Sequence, residues 1–333
     1  MRATSMTHES PARRTTDGAL RALLAAAALA ACAAAVPLFV KDAFILHIVF
    51  KVLLFGALGA AWNLVGGFLG RISFGHGFFL GVGAYTTLLL LLHMHLSPLV
   101  GIPAGAAVAA AIAWLIGGPT LRLSGHYFAM VTIGLLQIGL LAVTNWSWAG
   151  GASGLDVPIG NQPSMLLFRG RVPYYLIAVG LALVTFAVAY LAVHSRLGFY
   201  WRAIRGDEAA ARSLGVPANR SKLLAFTLSA ALTGLWGGFF ALYVGFIDPD
   251  SMFSLSLSVE VVLVAILGGM GSLYGPWLGA AILIPLGEGT RAYWGGSTVG
   301  ADVLIYGFAI LIVTLFLPGG LLTIWRRHGS ARG

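Results

Sequence analysis

Charge is scarce in this 333-residue chain: Asp, Glu, Lys and Arg together make up 9% of it, against 59% hydrophobic residues. Lysine is rarer still, occurring only as Lys41, Lys51 and Lys222. That scarcity excludes the ATP-binding P-loop, which needs Gly-Lys-Ser/Thr, because the three lysines follow Val40, Phe50 and Ser221. The single cysteine, Cys32, excludes a disulfide framework. No His-Glu-x-x-His and no metal-ligand spacing of Cys, His or Asp occurs, so no metal and no cofactor is expected. In place of charge the chain has long apolar runs, near residues 20–40, 43–65, 72–92, 98–117, 127–146, 173–194, 222–246, 259–287 and 301–322. A run of about 18 or more such residues reads as a membrane-spanning helix. Lipid leaves backbone polar groups no partner outside the chain, so helices are the default. The expectation is an all-α integral membrane protein, a polytopic bundle of about eight to ten transmembrane helices with broken or re-entrant glycine-rich segments.

The net charge of +9 would suggest nucleic acid in a soluble protein. Here its distribution over loops sets orientation instead, and no nucleic-acid partner is expected. Residues 1–18 form a polar tail. The string Leu29-Ala30-Ala31-Cys32 has the form of a lipoprotein cleavage site, but the apolar run continues to Val40, which favours a span. With the N-terminus in the cytoplasm and seven single crossings, Arg2, Arg13, Arg14, Arg21, Arg71, Arg122 and the loop 195–222 fall inside, while Lys41, Arg169 and Arg171 fall outside. The eighth run decides the fate of the tail 326–333. If 259–287 enters, breaks at "GGMGSLYGP" (268–276) and returns in two halves of roughly a dozen residues each, that tail is cytoplasmic, in keeping with the positive-inside rule. A single tilted helix with flexible glycines is the alternative. The domain expectation is a tail at 1–18, a membrane domain at 19–325 and a tail at 326–333.

A second interruption occurs at "GGFLGRISFGHGFFLGVGAY" (66–85). Broken segments in two halves of a chain point to a transport pathway, since irregular backbone is tolerated only when buried or facing water. Ion-coupled carriers keep acids or histidines in the membrane. The candidates are Glu260, placed by the sequence in a helix's first turn, Glu288, His76 and His126. Gly151-Ala152-Ser153-Gly154 resembles the nucleophile motif of intramembrane serine proteases, with His76 or His126 as possible base, but loop-forming "LDVPIGNQP" follows it where a helix is needed.

Against this apolar background stands "RAIRGDEAAARSLGV" (202–216), with Arg202, Arg205, Asp207, Glu208 and Arg212. Gly206 interrupts it, Asp207 is placed to cap a helix, Ala209 to Ala211 favour one, and Gly215-Val216-Pro217 ends it. A helix of about two turns is marginal in water without a partner surface. The stretch therefore reads as a docking helix for a cytoplasmic protein that supplies the missing ATP chemistry, or as an interfacial helix on anionic lipid.

The segments "GRISFGHGFFLGVGAYT" (70–86), "LRLSGHYFAMVTIGLLQI" (121–138), "NWSWAGGASGL" (145–155), the charged stretch, "VEVVLVAILGGMGSLYGPWLGA" (259–280) and "LPGGL" (317–321) together resemble the second permease subunit of bacterial branched-chain amino acid ABC importers. The resemblance implies a non-enzymatic transport subunit of the inner membrane. It implies pairing with a second, homologous permease, with two cytoplasmic ABC ATPase subunits and with a periplasmic substrate-binding protein. It implies a coupling loop mapping onto Arg202, Arg205, Asp207, Glu208, Ala209, Ala210 and Gly215. The pathway is expected beside Ser73, Phe74, Gly75, Tyr127, Thr132, Gly150, Gly151, Glu260, Gly268 and Gly269. The sequence departs from the family pattern at Leu214, where the wider importer motif has Gly, and at His126, Gln137 and Ala149, where the family usually has an acid, an acid and Thr. Permeases for urea and short-chain amides are similar and remain open, as does an ion-coupled carrier.

Overall fold

Apolar runs bounded by capping residues become helices close to the expected places. The computed structural model describes residues 27–28, 30–39, 42–123, 125–158, 160, 162–294 and 307–308. The two tails and nearly all of the last apolar run lie outside these residues. Helix α1 (Ala30–Phe39) passes through Cys32. It is followed by α2 (Ala43–Asn63), whose cap Asp42 accepts from Phe44 N at 2.8 Å, and α2 runs on into a π turn at Leu64–Phe68. Then come α3 (His76–Met94), α4 (Pro98–Thr120), α5 (His126–Thr144) and α6 (Arg171–His194). The charged loop holds α7 (Arg196–Gly206) and α8 (Glu208–Ser213), and α9 (Ala218–Val244) leads through the short α10 (Pro249–Met252) to α11 (Leu255–Gly268) and α12 (Gly275–Trp294). Among the described residues, seven helical segments are long and apolar enough to cross a membrane. The chain is an all-α polytopic membrane protein. Its extended structure among those residues is one short antiparallel pair, β1 (Leu155–Asp156) with β2 (Phe246–Ile247), and a bridge between Gln162 and Leu167.

Side-chain contacts sort the helix ends into two groups. At one end, here the loop end, the C-terminus of α2, the segment 69–75, residues 121–123, α7, α8 and the start of α9 meet through Arg71, Arg205, Glu208 and Lys222. At the far end, Arg171 donates to Ala43 O at 2.9 Å, His93 stacks on Trp148, and β1 pairs with β2 just past α9. Alternate helices therefore run in opposite directions between two polar rims. Helices α3, α4 and α9 pack at glycine contact: a Cβ on Gly83 would strike the Gly234 backbone, and one on Gly237 would strike Leu80 O. Backbone-to-backbone approach through small residues holds helices together where lipid offers no hydrophobic drive.

The run 259–287 is broken, with α11 ending at Gly268 and α12 starting at Gly275. The halves are not the short pair expected. Helix α12 has 20 residues, about 30 Å, enough to traverse a bilayer. It returns to the far end, where Glu288 meets Lys51 of α2 at 2.7 Å and Arg291 at 2.9 Å. The segment is thus a helical hairpin with its turn at the loop end. In a Cys32→Ser background, Leu214→Cys and Met270→Cys should react with an impermeant thiol reagent from the same face of sealed vesicles, and Trp148→Cys from the other. Labelling of 214 and 270 from opposite faces would refute the hairpin.

Candidate functional site

The charged loop folds as two helices where the sequence suggested one. Helix α7 buries Gly198, Trp201 and Ile204, spaced by three residues, and Trp201 Nε1 donates to Ser221 O at 2.9 Å. Helix α8 is the delimited element expected: Asp207 Oδ1 accepts from Ala209 N at 2.8 Å and Ala210 N at 3.0 Å, and Gly215 follows with φ +83°. It is shorter than expected, six residues. Ala209, Ala210 and Arg212 face solvent, and Leu214 is 86% exposed.

Glu208 is not among these outward groups. Its carboxylate takes Arg71 Nη2 at 2.7 Å on one oxygen, and Arg212 Nη2 at 2.7 Å and Lys222 Nζ at 2.8 Å on the other. Lys222 is 3% exposed and also donates to Leu121 O at 3.1 Å, while Arg71 donates to Leu123 O at 3.2 Å. One acid thereby braces α8 against the first break, the end of α4 and the start of α9. Partial burial pushes the Glu208 carboxyl upward, but hydrogen bonds from Lys222, Arg212 and Arg71 outweigh it and hold the pKa down at about 2. The pairs to Arg71 and Arg212 are partly open to solvent and individually modest, but without Glu208 the buried ammonium of Lys222 would be left without its counter-charge.

Next to this cluster the two breaks touch. Asn63, 1% exposed at the end of α2, donates through Nδ2 to Ser272 O at 2.7 Å and accepts at Oδ1 from Gly271 N at 2.8 Å. Its neighbour Trp62 donates from Nε1 to Ser73 O at 2.7 Å. Arg205 reaches in from α7, with Nη1 donating to Gly67 O. A Cβ on Gly67 would collide with the Asn63 amide and with Gly271 N. Gly271 itself has φ +77°, and a Cβ there would lie 2.8 Å from Arg205 Nη1.

The remaining candidates divide. Ser73, Phe74, Gly75 and Thr132 come together: Phe74 N donates to Thr132 Oγ1 at 3.0 Å, and Gly75 N to Ser73 Oγ at 3.2 Å. Gly268 and Gly269 belong to the second break, at the same end of the bundle. Gly150 and Gly151 do not join them, since they lie at the far end, beyond the C-terminus of α5. Tyr127, His126 and Gln137 are on the exposed side of α5, whereas Thr132 is on its buried side. Glu260 is half-buried in the second turn of α11, not the first. Ser153 follows the end of α5 while His126 begins it, 18 residues of helix or about 27 Å apart, so these two cannot form a dyad. His76 is buried and shares a hydrogen bond with Ser229 Oγ at 2.9 Å, and Ser229 donates to Ala61 O at 2.7 Å. It ties α3 to α9 and α2.

The family described as "Branched-chain amino acid transport system / permease component" matches residues 43–315. The high-affinity branched-chain amino acid transport system permease protein LivM of Escherichia coli (strain K12) is 34% identical over 305 residues, covering 83% of this chain and 70% of that protein. The chain belongs to this permease family. The autoinducer 2 import system permease protein LsrC of Enterobacter sp. (strain 638) is 27% identical over 224 residues, 63% of the permease and 60% of LsrC. The permease protein LivH of Escherichia coli (strain K12) is 23% identical over 294 residues, 80% of the permease and 91% of LivH. No solved structure matches.

Sequence reasoning missed Asn63 and Trp62, and it used Arg71 only to assign sides and Lys222 only for that and to exclude a P-loop. A trace was available, because Asn63 is a lone amide deep in an apolar run, four residues before Gly67, and polar groups at such positions are retained for a reason. Because its pKa is depressed from 4.5 to about 2, Glu208 contributes its full stabilisation above the ordinary carboxyl range and loses it as pH falls towards 2. The detergent-solubilised permease should melt several degrees above a Glu208→Gln variant at pH 6 to 7, and the gap should close between roughly pH 4.5 and pH 2. A gap that does not depend on pH would contradict the ion cluster.

Proposed function

We propose that the permease is one membrane-spanning half of an ABC importer that carries branched-chain or chemically related amino acids into the cytoplasm. Its inferred home is the bacterial inner membrane, with both termini and the loop 195–222 on the cytoplasmic side. A second, homologous permease completes the channel, two ATPase subunits drive it, and a periplasmic protein presents the substrate to the far end. The loop distribution of Lys and Arg supports this orientation. LivM and LivH, both similar to this chain, are each named as permease proteins of a high-affinity branched-chain amino acid transport system, which supports a paired arrangement and this class of substrate.

The observation that carries the reading is the geometry of α8. The loop is stiffened from behind by Glu208 and its three cations, which leaves Ala209, Ala210 and Leu214 facing outward. A small-residue face beside an exposed leucine suits close docking of another protein, and the cations around it favour an acidic partner surface. Glu208 then acts by fixing the shape of the docking element, and the small and apolar side chains make the contact. The pathway expected at Ser73, Phe74, Gly75 and Thr132 lies just behind, within reach of a motion of the loop.

Ala210→Arg leaves the Glu208 cluster intact and tests the docking face alone. Tagged permease extracted in mild detergent should bring down ATPase subunits, and Ala210→Arg should reduce that yield about tenfold or more, as expected for bulk and charge forced into a packed contact. Equal capture by both forms would remove α8 as the docking element.

A further inference from the structure

The side chains that join the charged loop to the two helix breaks do more than hold the loop in place. Asn63 uses both ends of its amide on main-chain atoms of the second break, Gly271 N and Ser272 O, and lies directly over Gly67 of the first. Arg205 rises from the loop between the same two segments, donating to Gly67 O, with its stem against Gly70 and its Nη1 beside Gly271. Trp62, next to Asn63, holds the first break further along at Ser73 O. Hydrogen bonds to backbone atoms are directional, and the glycines leave no side chain between the segments to absorb a displacement.

We propose that Asn63 and Arg205 are positioning residues that make the docking loop and both breaks one moving part, so that a shift of the loop is delivered to 66–75 and 268–275 together. This rests on the reading of the loop as the ATPase dock. A loop attached only through its ends to α6 and α9 would transmit motion along helix axes and leave the breaks to follow. The node gives a shorter route: one arginine spans loop and both breaks, and Ser73, Phe74 and Gly75 follow within a few residues of the first. Packing alone would not need an amide in a buried position of a membrane helix, because an apolar side chain fills such a space without the penalty of a polar one.

The test uses the complete importer, captured with its ATPase subunits through the tagged permease and reconstituted in liposomes, with leucine as the transported probe. Capture of the ATPase, ATP hydrolysis and uptake are measured for wild type, Asn63→Ala, Arg205→Ala and Arg205→Lys. The expected result is undiminished capture in all four and continuing hydrolysis. Uptake per ATP should fall about tenfold in Asn63→Ala and Arg205→Ala, within the range seen for residues that carry coupling between sites, and recover in part in Arg205→Lys, which keeps one donor for Gly67 O. Wild-type uptake per ATP in either alanine variant overturns the proposal. So does loss of ATPase capture in Arg205→Ala, which would make Arg205 a docking contact. If Asn63→Ala does not accumulate, the two Arg205 variants on the exposed loop decide the matter alone. Absence of any ATPase in the wild-type capture refutes the docking reading itself, and this one with it.

Discussion

A backbone that leaves the helix inside a bilayer must find every hydrogen-bond partner within the protein. Two segments of this permease, the π turn and break at 64–75 and the break at 269–274, meet part of that demand with side chains from elsewhere in the chain, and much of the arrangement around them follows. The donors and acceptors come from elsewhere in the chain: the Asn63 amide, the Thr132 hydroxyl, the Trp62 indole and the Arg205 guanidinium. Each supplier sits on a different turn or helix from the group it serves. The breaks therefore act as the places where α2, α5, α7 and α11 are tied to one another.

Scarce charge is used in the same spirit. Two glutamates, Glu208 and Glu288, each bridge separate elements. Glu208 joins α8 to Arg71 and to Lys222 of α9, and Glu288 joins α12 to Lys51 of α2. The two ties sit at opposite ends of the bundle, with the glycine-packed α3, α4 and α9 between them. Exposed ion pairs are worth little. Those at Lys222, 3% exposed, and Glu288, 13% exposed, are sheltered enough for their loss to be felt.

The helices, their order and the existence of both breaks were legible, because they depend on local composition: length of apolar run, glycine clusters, and Asp207 placed to cap α8. Asp207 and Gly215 delimit α8 as their spacing implied. What was not legible depends on pairing across the chain. Nothing local to Asn63 says that Ser272 lies against it. Glu208 in sequence looks like an outward charge, and only the folded chain brings Arg71 and Lys222 to it. Gly150 and Gly151 share the small-residue character of the breaks, yet distance along α5 puts them at the other end. Helix α7 escaped notice because Trp201 and Ile204 are its only large buried side chains, too few for a periodic pattern to stand out among so many arginines.

The bond from Gly271 N to Asn63 joins residues 208 positions apart. A chain made from its N-terminus inserts α2 and the first break long before the second exists, since domains and segments fold in order of synthesis. Throughout that interval the Asn63 amide lacks the partners it has in the finished protein, in a solvent that offers none. The last hairpin to arrive is thus also the one that closes the first defect. A chain that stops short of residue 271 leaves both ends of the Asn63 amide without these partners, a polar seam open in the middle of an apolar helix.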